Sequence, residues 1–459
     1  MRPRGAPLLL AAALGCGAPS APPAPPPNVL LITLDTTRRD HLSVYGYERD
    51  TTPGLVRFAA EGARFERAYA PASITAESHA TLFTGLYPIE HGVVKNGLVL
   101  AERHATMAER LRALGMQTAA IVSSFVLDRR FGWRQGFDHY EDDFQPAEAS
   151  WKIDHWYEFP MSTGTFDRRA NFTTERALRW LARDRDPARP FFLFVHYFDP
   201  HDPYDPPPPF DVRFKPKPGE AQSLADALRS REWIDAYDGE IAFTDAQISR
   251  LLAGLAELGL AERTLVVVVA DHGEGLMQHE QMGHGANIHE EVVRVPLLVR
   301  WPGVVAAGAE IDAPIEQIDV LPTVLDLVGA SRDDRLYGRS LAPALRSGQR
   351  LDPAHPVYLH RRPFENQFFK GIVVDGEQFG VVRDGWKWIE GSRDGTRALY
   401  DLASDPLETV NRAATEPDRV RELSGLVRDW RAAHTAPNMA TPPIAPEDAR
   451  KLKALGYAE

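Results

Sequence analysis

The sequence has a single cysteine, Cys16, so the rest of the chain has no cysteines to build a disulfide framework. It also lacks any apolar run close to the roughly 20 residues that a membrane-spanning helix requires. Basic residues are the minority, with 52 Lys and Arg against 64 Asp and Glu and a formal net charge of −12. Non-specific nucleic-acid binding needs a basic surface, so we expect no nucleic-acid partner.

The composition is that of a folded globular protein. The 459 residues are 44% hydrophobic and 25% charged, which suits one large α/β domain and a smaller appendage. The acidic balance still permits an anionic substrate, because a bound metal ion makes a site locally positive.

Residues 1–27 resemble an export leader rather than part of the fold. Arg2 and Arg4 precede an apolar run at 8–14, and Cys16 follows where bacterial lipoproteins carry their lipidated residue. A proline-rich spacer comes next. We therefore expect an exported protein, periplasmic or a cell-surface lipoprotein, whose only membrane contact is an N-terminal lipid anchor. A soluble secreted protein, or a misplaced start codon, is the alternative.

Residues 28–350 show buried strands alternating with amphipathic helices, the pattern of a doubly wound α/β sheet. The predicted strands are 28–35, 117–123, 190–197, 264–271 and 295–300. The predicted helices are 52–61, 76–84, 100–114, 173–183 and 233–258.

Residues 351–459 predict a smaller α+β subdomain. Short alternating runs are separated by Asp-Gly pairs at 375–376 and 384–385, which are typical of hairpin turns. A helix at about 416–434 follows. The pattern indicates a small antiparallel sheet closed by one helix.

Polar residues follow several of the predicted parallel strands. Asp35 ends the first, His201 follows the strand at 190–197, and Asp271 and His272 end a third. Ligands gather at the carboxyl ends of such strands, and Asp with His suits zinc, manganese or magnesium. Ordinary polar residues at strand ends are the alternative.

The segment 73–79 places hydroxyl side chains at the start of a short helix. A helix N-terminus attracts anions, and a metal-activated hydroxyl can attack phosphorus or sulfur. Spacing alone favours the simpler interpretation, that Ser73 or Thr75 is a helix cap.

Three segments in this order resemble the sulfatase family of the alkaline-phosphatase superfamily. They are the strand ending at Asp35, the segment 75–85 with Thr84-Gly85, and the strand ending at Asp271-His272. Further matches lie at 190–196, 295–303, 317–323, 337–341 and 399–406. The resemblance runs from residue 28 to about residue 411. It implies an alkaline-phosphatase-like sheet with helices on both faces, and a metal-dependent ester hydrolase.

The resemblance also implies a set of site residues. One divalent ion (Mn, Zn, Mg or Ca) is expected at Asp35, Thr75, Asp271 and His272, and Thr75 occupies the nucleophile position. By the same resemblance, His201 and His284 lie near the leaving group, and His79 and Asn96 near the substrate anion. His196 and Asp199 are a weaker hypothesis for a second metal, and His279 and His289 are expected to face solvent.

Departures from the family pattern favour phosphorus chemistry. Most sulfatases convert Cys or Ser to formylglycine, whereas oxidising the secondary alcohol of Thr75 would give a ketone. Glu77 replaces the family's Pro, His79 its Arg and Thr36 its second Asp. We therefore expect a small-molecule, glycan or lipid-headgroup anionic ester as substrate, with phosphodiesters preferred and group transfer to an alcohol as a variant. The alternatives are a true sulfatase using Thr75 or Ser78, and a non-catalytic anion-binding surface lipoprotein.

Overall fold

The structure is a computed structural model. It describes residues 27–149, 155–156, 159–160, 166–215, 231–331, 333, 335–369, 372–434 and 445–454. The predicted leader with Cys16 falls outside these ranges, apart from residue 27, so it stays a prediction. Within the described ranges, every helix is too short or too polar to serve as a membrane span.

The strands have the following bounds in chain order. They are β1 (Asn28–Leu34), β2 (Ala63–Tyr69), β3 (Gln117–Ile121), β4 (His139–Glu141), β5 (His155–Trp156), β6 (Phe159–Pro160), β7 (Phe191–Tyr197), β8 (Thr264–Ala270), β9 (Gly275–Leu276), β10 (Met282–Gly283), β11 (Arg294–Arg300), β12 (Ala309–Glu316), β13 (Val357–Phe369), β14 (Ile372–Arg383), β15 (Trp386–Gly391) and β16 (Arg397–Asp401).

The α-helices among the described residues are fewer and mostly short. They are α1 (Pro53–Ala60), α2 (Thr75–Thr84), α3 (Pro88–His91), α4 (Met107–Ala113), α5 (Ala170–Arg179), α6 (Arg231–Glu257), α7 (Glu290–Val293), α8 (Val320–Leu327), α9 (Ala342–Ser347), α10 (Pro417–Ala433) and α11 (Pro446–Ala454). A π turn at Trp180–Asp184 extends α5.

One mixed sheet of eight strands forms the centre of the fold, in the order β12-β2-β11-β8-β1-β7-β3-β4. The central strand β1 is buried along its whole length and runs parallel to both neighbours, β7 and β8. Helices flank this sheet, which confirms the predicted α/β fold. The reversal of β11, antiparallel to β8 and β2, was not predicted.

The helix predicted at 100–114 was wrong at its start, because α4 begins only at Met107. Thr106 and Glu109 form a capping box: the Thr106 hydroxyl accepts from the Glu109 amide, and the Glu109 carboxylate accepts from the Thr106 amide. This reciprocal pair satisfies amides at the helix start.

The C-terminal strands form a separate antiparallel sheet in the order β13-β14-β15-β16, covered by α10, as predicted. The turn at Asp384-Gly385 is confirmed, with φ of 51° and 76°. The turn at 375–376 was wrong, since both residues lie inside β14. Their carbonyls accept from the buried guanidinium of Arg361, which holds them in the strand opposite an irregular stretch of β13.

The small sheet shares a core with the large one. Tyr69 of β2 is buried in one cluster with Ile288 and Val292, which directly precede β11, and with Val357 and Leu359 of β13. Burial of these apolar side chains stabilises both parts together, so the two sheets should unfold as one unit.

We expect Leu359→Ala to lower the free energy of unfolding by about 2–5 kcal/mol, because Leu359 is fully buried at this interface. Thermal melts followed by circular dichroism should show one shifted transition. Val373→Ala is the matched control, because Val373 of β14 is 68% exposed, and it should change the melt little. A low-temperature transition of the small sheet alone would contradict a shared core.

Candidate active site

Two carboxylates meet where neighbouring parallel strands end. Leu34 of β1 is paired with Ala270 of β8, so Asp35 and Asp271 are the next residues along each strand. The Asp271 amide donates to the Leu34 carbonyl at 3.2 Å, and the Asp35 amide donates to Tyr197 at 3.0 Å. The register thus brings both fully buried carboxylates to one edge of the sheet.

Thr75 and His272 complete the group that the sequence predicted. Thr75 Oγ1 lies 3.3 Å from His272 Nε2. The same nitrogen lies 3.8 Å from Asp35 Oδ1 and 3.6 Å from Asp271 Oδ2. All four side chains are inaccessible to solvent.

The hydroxyls at the start of α2 are not helix caps. Ile74 occupies the N-cap position, and no side chain caps the helix there. Ser73 donates to the Asn287 carbonyl at 2.8 Å, and Ser78 donates to the Ala72 carbonyl at 3.1 Å. Thr75 is therefore the hydroxyl of this segment that faces the carboxylates.

The residues fit a divalent cation. His272 Nδ1 lies 2.9 Å from the Gly273 carbonyl, which can only accept, so that nitrogen carries the proton and Nε2 presents its lone pair. Asp271 Oδ2 accepts no hydrogen bond from any described residue. Burial, and then the charge of Asp35, raise the pKa of Asp271 well above its usual value. Two carboxylate oxygens, an imidazole and a hydroxyl suit zinc, manganese or magnesium.

A strained threonine orients one of these carboxylates. Thr36 stands at φ 48°, in the left-handed region that β-branched residues avoid, and its amide donates to Asp271 Oδ1 at 3.2 Å. The family's second Asp is absent here, and the backbone of its replacement holds Asp271 in place.

Two further buried histidines lie next to the carboxylates, His79 near Asp271 and His196 near Asp35. His79 Nδ1 is 2.8 Å from the Thr75 carbonyl, and its Nε2 is 3.0 Å from Thr33 Oγ1. Both ring nitrogens thus contact protein groups, which does not support the predicted contact between His79 and substrate. His196 Nε2 lies 3.3 Å from Asp35 Oδ2, and burial lowers the pKa of His196 to about 3.

The structure does not bring the predicted second-metal pair together. Asp199 Oδ2 accepts from the Ala170 amide at 2.8 Å. Asp199 belongs to no group of metal-ligating atoms that lie within 4.8 Å of one another in the described residues, whereas His196 groups with His79 and Asp271. The cis Asp199-Pro200 peptide begins the segment that leads to His201.

The two histidines predicted near the leaving group meet above His272. His201 stacks on Phe198 with ring centroids 4.4 Å apart, and its centroid is 5.2 Å from that of His284. The His284 centroid is in turn 4.5 Å from that of His272. Glu274, to which the sequence assigned no role, lies 3.1 Å from His284 Nδ1 and orients that ring.

Asn96 holds the first turn of α2. Its Oδ1 accepts from the Ala76 amide at 2.9 Å. Its buried Nδ2 donates no hydrogen bond to any described residue, so it could donate to an anion, as the sequence predicted.

Sequence reasoning missed a buried group of two carboxylates and a histidine near Thr75. Glu77 of α2 lies 2.9 Å from His360 Nδ1 of β13, and Glu377 of β14 lies 3.3 Å from His360 Nε2. Burial alone would lower the pKa of His360, but the two carboxylates raise it to about 9. The one signal in the sequence was Glu77 in the place of the family's Pro.

Residues 27–330 match the sulfatase family, and residues 285–424 match the C-terminal region described as N-sulphoglucosamine sulphohydrolase, C-terminal. The chain belongs to the sulfatase family. The sulfatase-family match covers the strand ends and the helix that carry Asp35, Thr75, Asp271 and His272.

Curated relatives have several activities in their names. The chain is 27% identical to the multifunctional alkaline phosphatase superfamily protein PehA of Trinickia caryophylli, covering 89% of this chain and 95% of that protein. It is also 27% identical to an arylsulfatase of Clostridium perfringens, covering 86% and 92%.

Solved structures share the fold. A phosphonate monoester hydrolase of Agrobacterium radiobacter superposes with a TM-score of 0.70 at 22% identity, covering 89% of this chain and 96% of that one. BT4656, solved with its substrate D-glucosamine-2-N,6-O-disulfate, superposes with a TM-score of 0.73 at 22% identity, covering 89% and 98%.

The carboxylate pair predicts that Asp271→Asn changes thermal stability in a way that depends on added metal. Without metal, the variant should melt no lower than wild type, because it removes a buried charge from beside Asp35. With added Mn²⁺ or Zn²⁺, wild type should gain stability and the variant should gain little. Calorimetry with and without metal tests this, together with metal content. Asp245→Asn, another buried Asp that accepts two backbone amides, should keep the metal response. An equal response of Asp271→Asn would refute the site.

The raised pKa of His360 predicts that the free energy of unfolding depends on pH. Its pKa rises from 6.5 to about 9 on folding, so its contribution is present below about pH 6.5 and is lost as pH rises through about 9. His360→Gln should be less stable than wild type near neutral pH, with the gap closing at high pH. Urea unfolding across this range measures the gap. His139→Gln, on the half-exposed β4 histidine, is the control, and a pH-independent gap would contradict the group of two carboxylates and a histidine.

Proposed function

We propose that this sulfatase-family hydrolase cleaves phosphate esters, with phosphodiesters preferred, through the hydroxyl of Thr75. The observation that carries the proposal is the contact of Thr75 Oγ1 with His272 Nε2, beside Asp35 and Asp271. A divalent ion held by these four residues would lower the pKa of the hydroxyl and neutralise an oxygen of the ester. The intact group argues against a binding-only protein.

Thr75 is also placed to receive an anion. It is the first residue of α2, where the amides of the first turn point out of the helix and the helix dipole is positive. Asn96 fixes this turn through the Ala76 amide and presents a further N–H donor from Nδ2. Together these groups can hold the non-bridging oxygens of a tetrahedral ester.

The reaction is a two-step substitution. The Thr75 hydroxyl loses its proton to solvent and Oγ1 forms a bond to phosphorus, while the bond to the leaving oxygen breaks and His201 or His284 supplies the proton for that oxygen. Water then attacks the phosphorus and gives up a proton, the bond from Oγ1 to phosphorus breaks, the phosphate product leaves, and Oγ1 takes up a proton again. Glu274 keeps the His284 ring oriented through Nδ1 at 3.1 Å.

Threonine is the reason to prefer phosphorus over sulfur. A formylglycine hydrate releases its sulfated intermediate by elimination, which a threonine ester cannot do. A phosphothreonine is released by attack of water. The name of the phosphonate monoester hydrolase among the structural neighbours agrees with phosphorus chemistry on this fold, whereas the arylsulfatase relative supports the alternative.

We expect Thr75→Ala to fold, to keep three metal ligands and to lose roughly 10³-fold or more in turnover. Thr75→Ser should keep substantial activity, since it retains the nucleophilic oxygen. Ser78→Ala is the matched control, a buried hydroxyl of the same helix that bonds to Ala72. Mass spectrometry of the trapped intermediate should find a phosphoryl group on the Thr75 peptide. Wild-type turnover in Thr75→Ala, with loss in Ser78→Ala, would move the nucleophile to Ser78.

A substrate panel separates the phosphoryl proposal from the sulfatase alternative. Aryl phosphate monoesters, phosphodiesters, phosphonates and sulfates should be compared by kcat/KM with several divalent ions. The proposal expects a phosphodiester to lead and sulfate esters to be the poorest. Sulfate esters turned over fastest by Thr75 would make this chain a true sulfatase without formylglycine. An added alcohol that captures the phosphoryl group would indicate a transferase.

A further inference from the structure

One face of helix α6 contacts two of the segments that carry the candidate active site. Tyr237, Glu240 and Thr244 are three and four residues apart, so they share this face. Glu240 Oε1 accepts from the Asp205 amide at 2.8 Å. The Thr244 hydroxyl donates to the Asp199 carbonyl at 3.2 Å. These two bonds hold the ends of the loop that follows β7.

The third member of this face, Tyr237, contacts the turn that follows β1. Its side chain is fully buried. Its hydroxyl donates to the Thr36 carbonyl at 2.7 Å and accepts from the Arg38 amide at 2.8 Å. A tyrosine hydroxyl has one proton and can also accept, and here both functions are used on the backbone of a single turn.

Thr36 needs a restraint from outside to keep its conformation. Its φ of 48° is costly for a β-branched residue, and such conformations persist where the surroundings enforce them. In this conformation its amide donates to Asp271 Oδ1 at 3.2 Å. The bond from Tyr237 to the Thr36 carbonyl therefore acts on the residue that fixes one of the candidate metal ligands.

The same turn also contacts the segment that orients His284. Arg38, whose amide bonds to Tyr237, donates from Nη1 to the Glu274 carbonyl at 3.1 Å. The Glu274 carboxylate in turn lies 3.1 Å from His284 Nδ1. The Tyr237 hydroxyl is thus the common point of the contacts that lead to Asp271 and to His284.

The tip of the β9–β10 hairpin, between Glu274 and His284, has a separate contact. His279 Nδ1 lies 2.8 Å from Glu291 Oε1. The side chains of His279 and His289 are only 21% and 17% exposed, so the expectation that they face solvent was wrong. This contact does not involve the turn after β1, so loss of the Tyr237 hydroxyl should act first on that turn.

We propose that Tyr237 is a positioning residue of the candidate active site, because its hydroxyl keeps Thr36 in the conformation that fixes Asp271 for a divalent ion. The proposal rests on the metal site of the proposed function and not on which ester is cleaved. The hydroxyl bonds to backbone groups, so its effect on the ion passes through the turn. Loss of a group that orients a metal ligand commonly weakens metal binding by roughly 10–100-fold.

The Mn²⁺ affinity of Tyr237→Phe is the direct test, because this variant keeps the buried ring and removes the hydroxyl alone. Tyr45→Phe is the matched control, since the Tyr45 hydroxyl also joins a backbone amide and a carbonyl, both of Leu297, at 2.9 and 3.2 Å. Both variants should melt below wild type. In calorimetric titrations Tyr237→Phe should bind Mn²⁺ roughly tenfold or more weakly, whereas Tyr45→Phe should match wild type. Equal Mn²⁺ affinity in Tyr237→Phe and wild type would overturn the proposal.

A second measurement uses the metal-free chain and separates this proposal from the metal site on which it rests. Hydrogen exchange of the Thr36 amide, read by mass spectrometry at single-residue resolution, should be roughly tenfold or more faster in Tyr237→Phe than in Tyr45→Phe, because the turn is released. Equal exchange in the two variants would refute the role of Tyr237. Faster exchange, together with wild-type Mn²⁺ affinity in Asp271→Asn, would instead refute the metal site, and the hold of Tyr237 on Thr36 would stand.

Discussion

The fold depends on two carboxyl groups placed side by side in its interior, Asp35 and Asp271. Asp35 and Asp271 end adjacent parallel strands in register, and neither can move away without breaking the pairing of β1 with β8. Burying like charges is costly unless a cation or hydrogen bonds compensate. The amide of the strained Thr36 donates to Asp271 Oδ1, and the His272 and His196 rings lie 3.6 Å from Asp271 and 3.3 Å from Asp35.

The same constraint bears on the proposal that a threonine is the nucleophile. A hydroxyl is a weak nucleophile in water. In the proposed reaction it is activated by a metal ion that the neighbouring Asp35, Asp271 and His272 would hold, rather than by a property of the threonine itself. Helix α2 delivers Thr75 to the carboxylate pair, and Asn96 and the Glu77–His360 contact hold the first turn of that helix. The family fold is thus compatible with a residue that cannot be converted to formylglycine.

The sequence predicted the elements better than their contacts. Continuous apolar runs identified β1, β7 and β8, and the order of motifs identified Asp35, Thr75, Asp271 and His272. Periodicity carries no information on strand direction, so the reversal of β11 could not be read from Val295 to Arg300. It also cannot show that His79 bonds to Thr33, or that His360, 283 positions from Glu77, supplies its counter-charge. Such pairs become visible only when distant strands are placed together.

The Glu77–His360 contact decides whether the small C-terminal sheet can be separated from the part of the chain that carries the candidate active site. The small sheet looks like an accessory, since every candidate metal ligand at the sheet edge precedes it in the chain. A fragment ending before β13 would keep those ligands but would lose His360, the histidine that lies against Glu77 two residues after Thr75. Loss or exchange of the C-terminal region would therefore remove a contact that holds the helix carrying Thr75, so the small sheet is part of the support of the candidate active site.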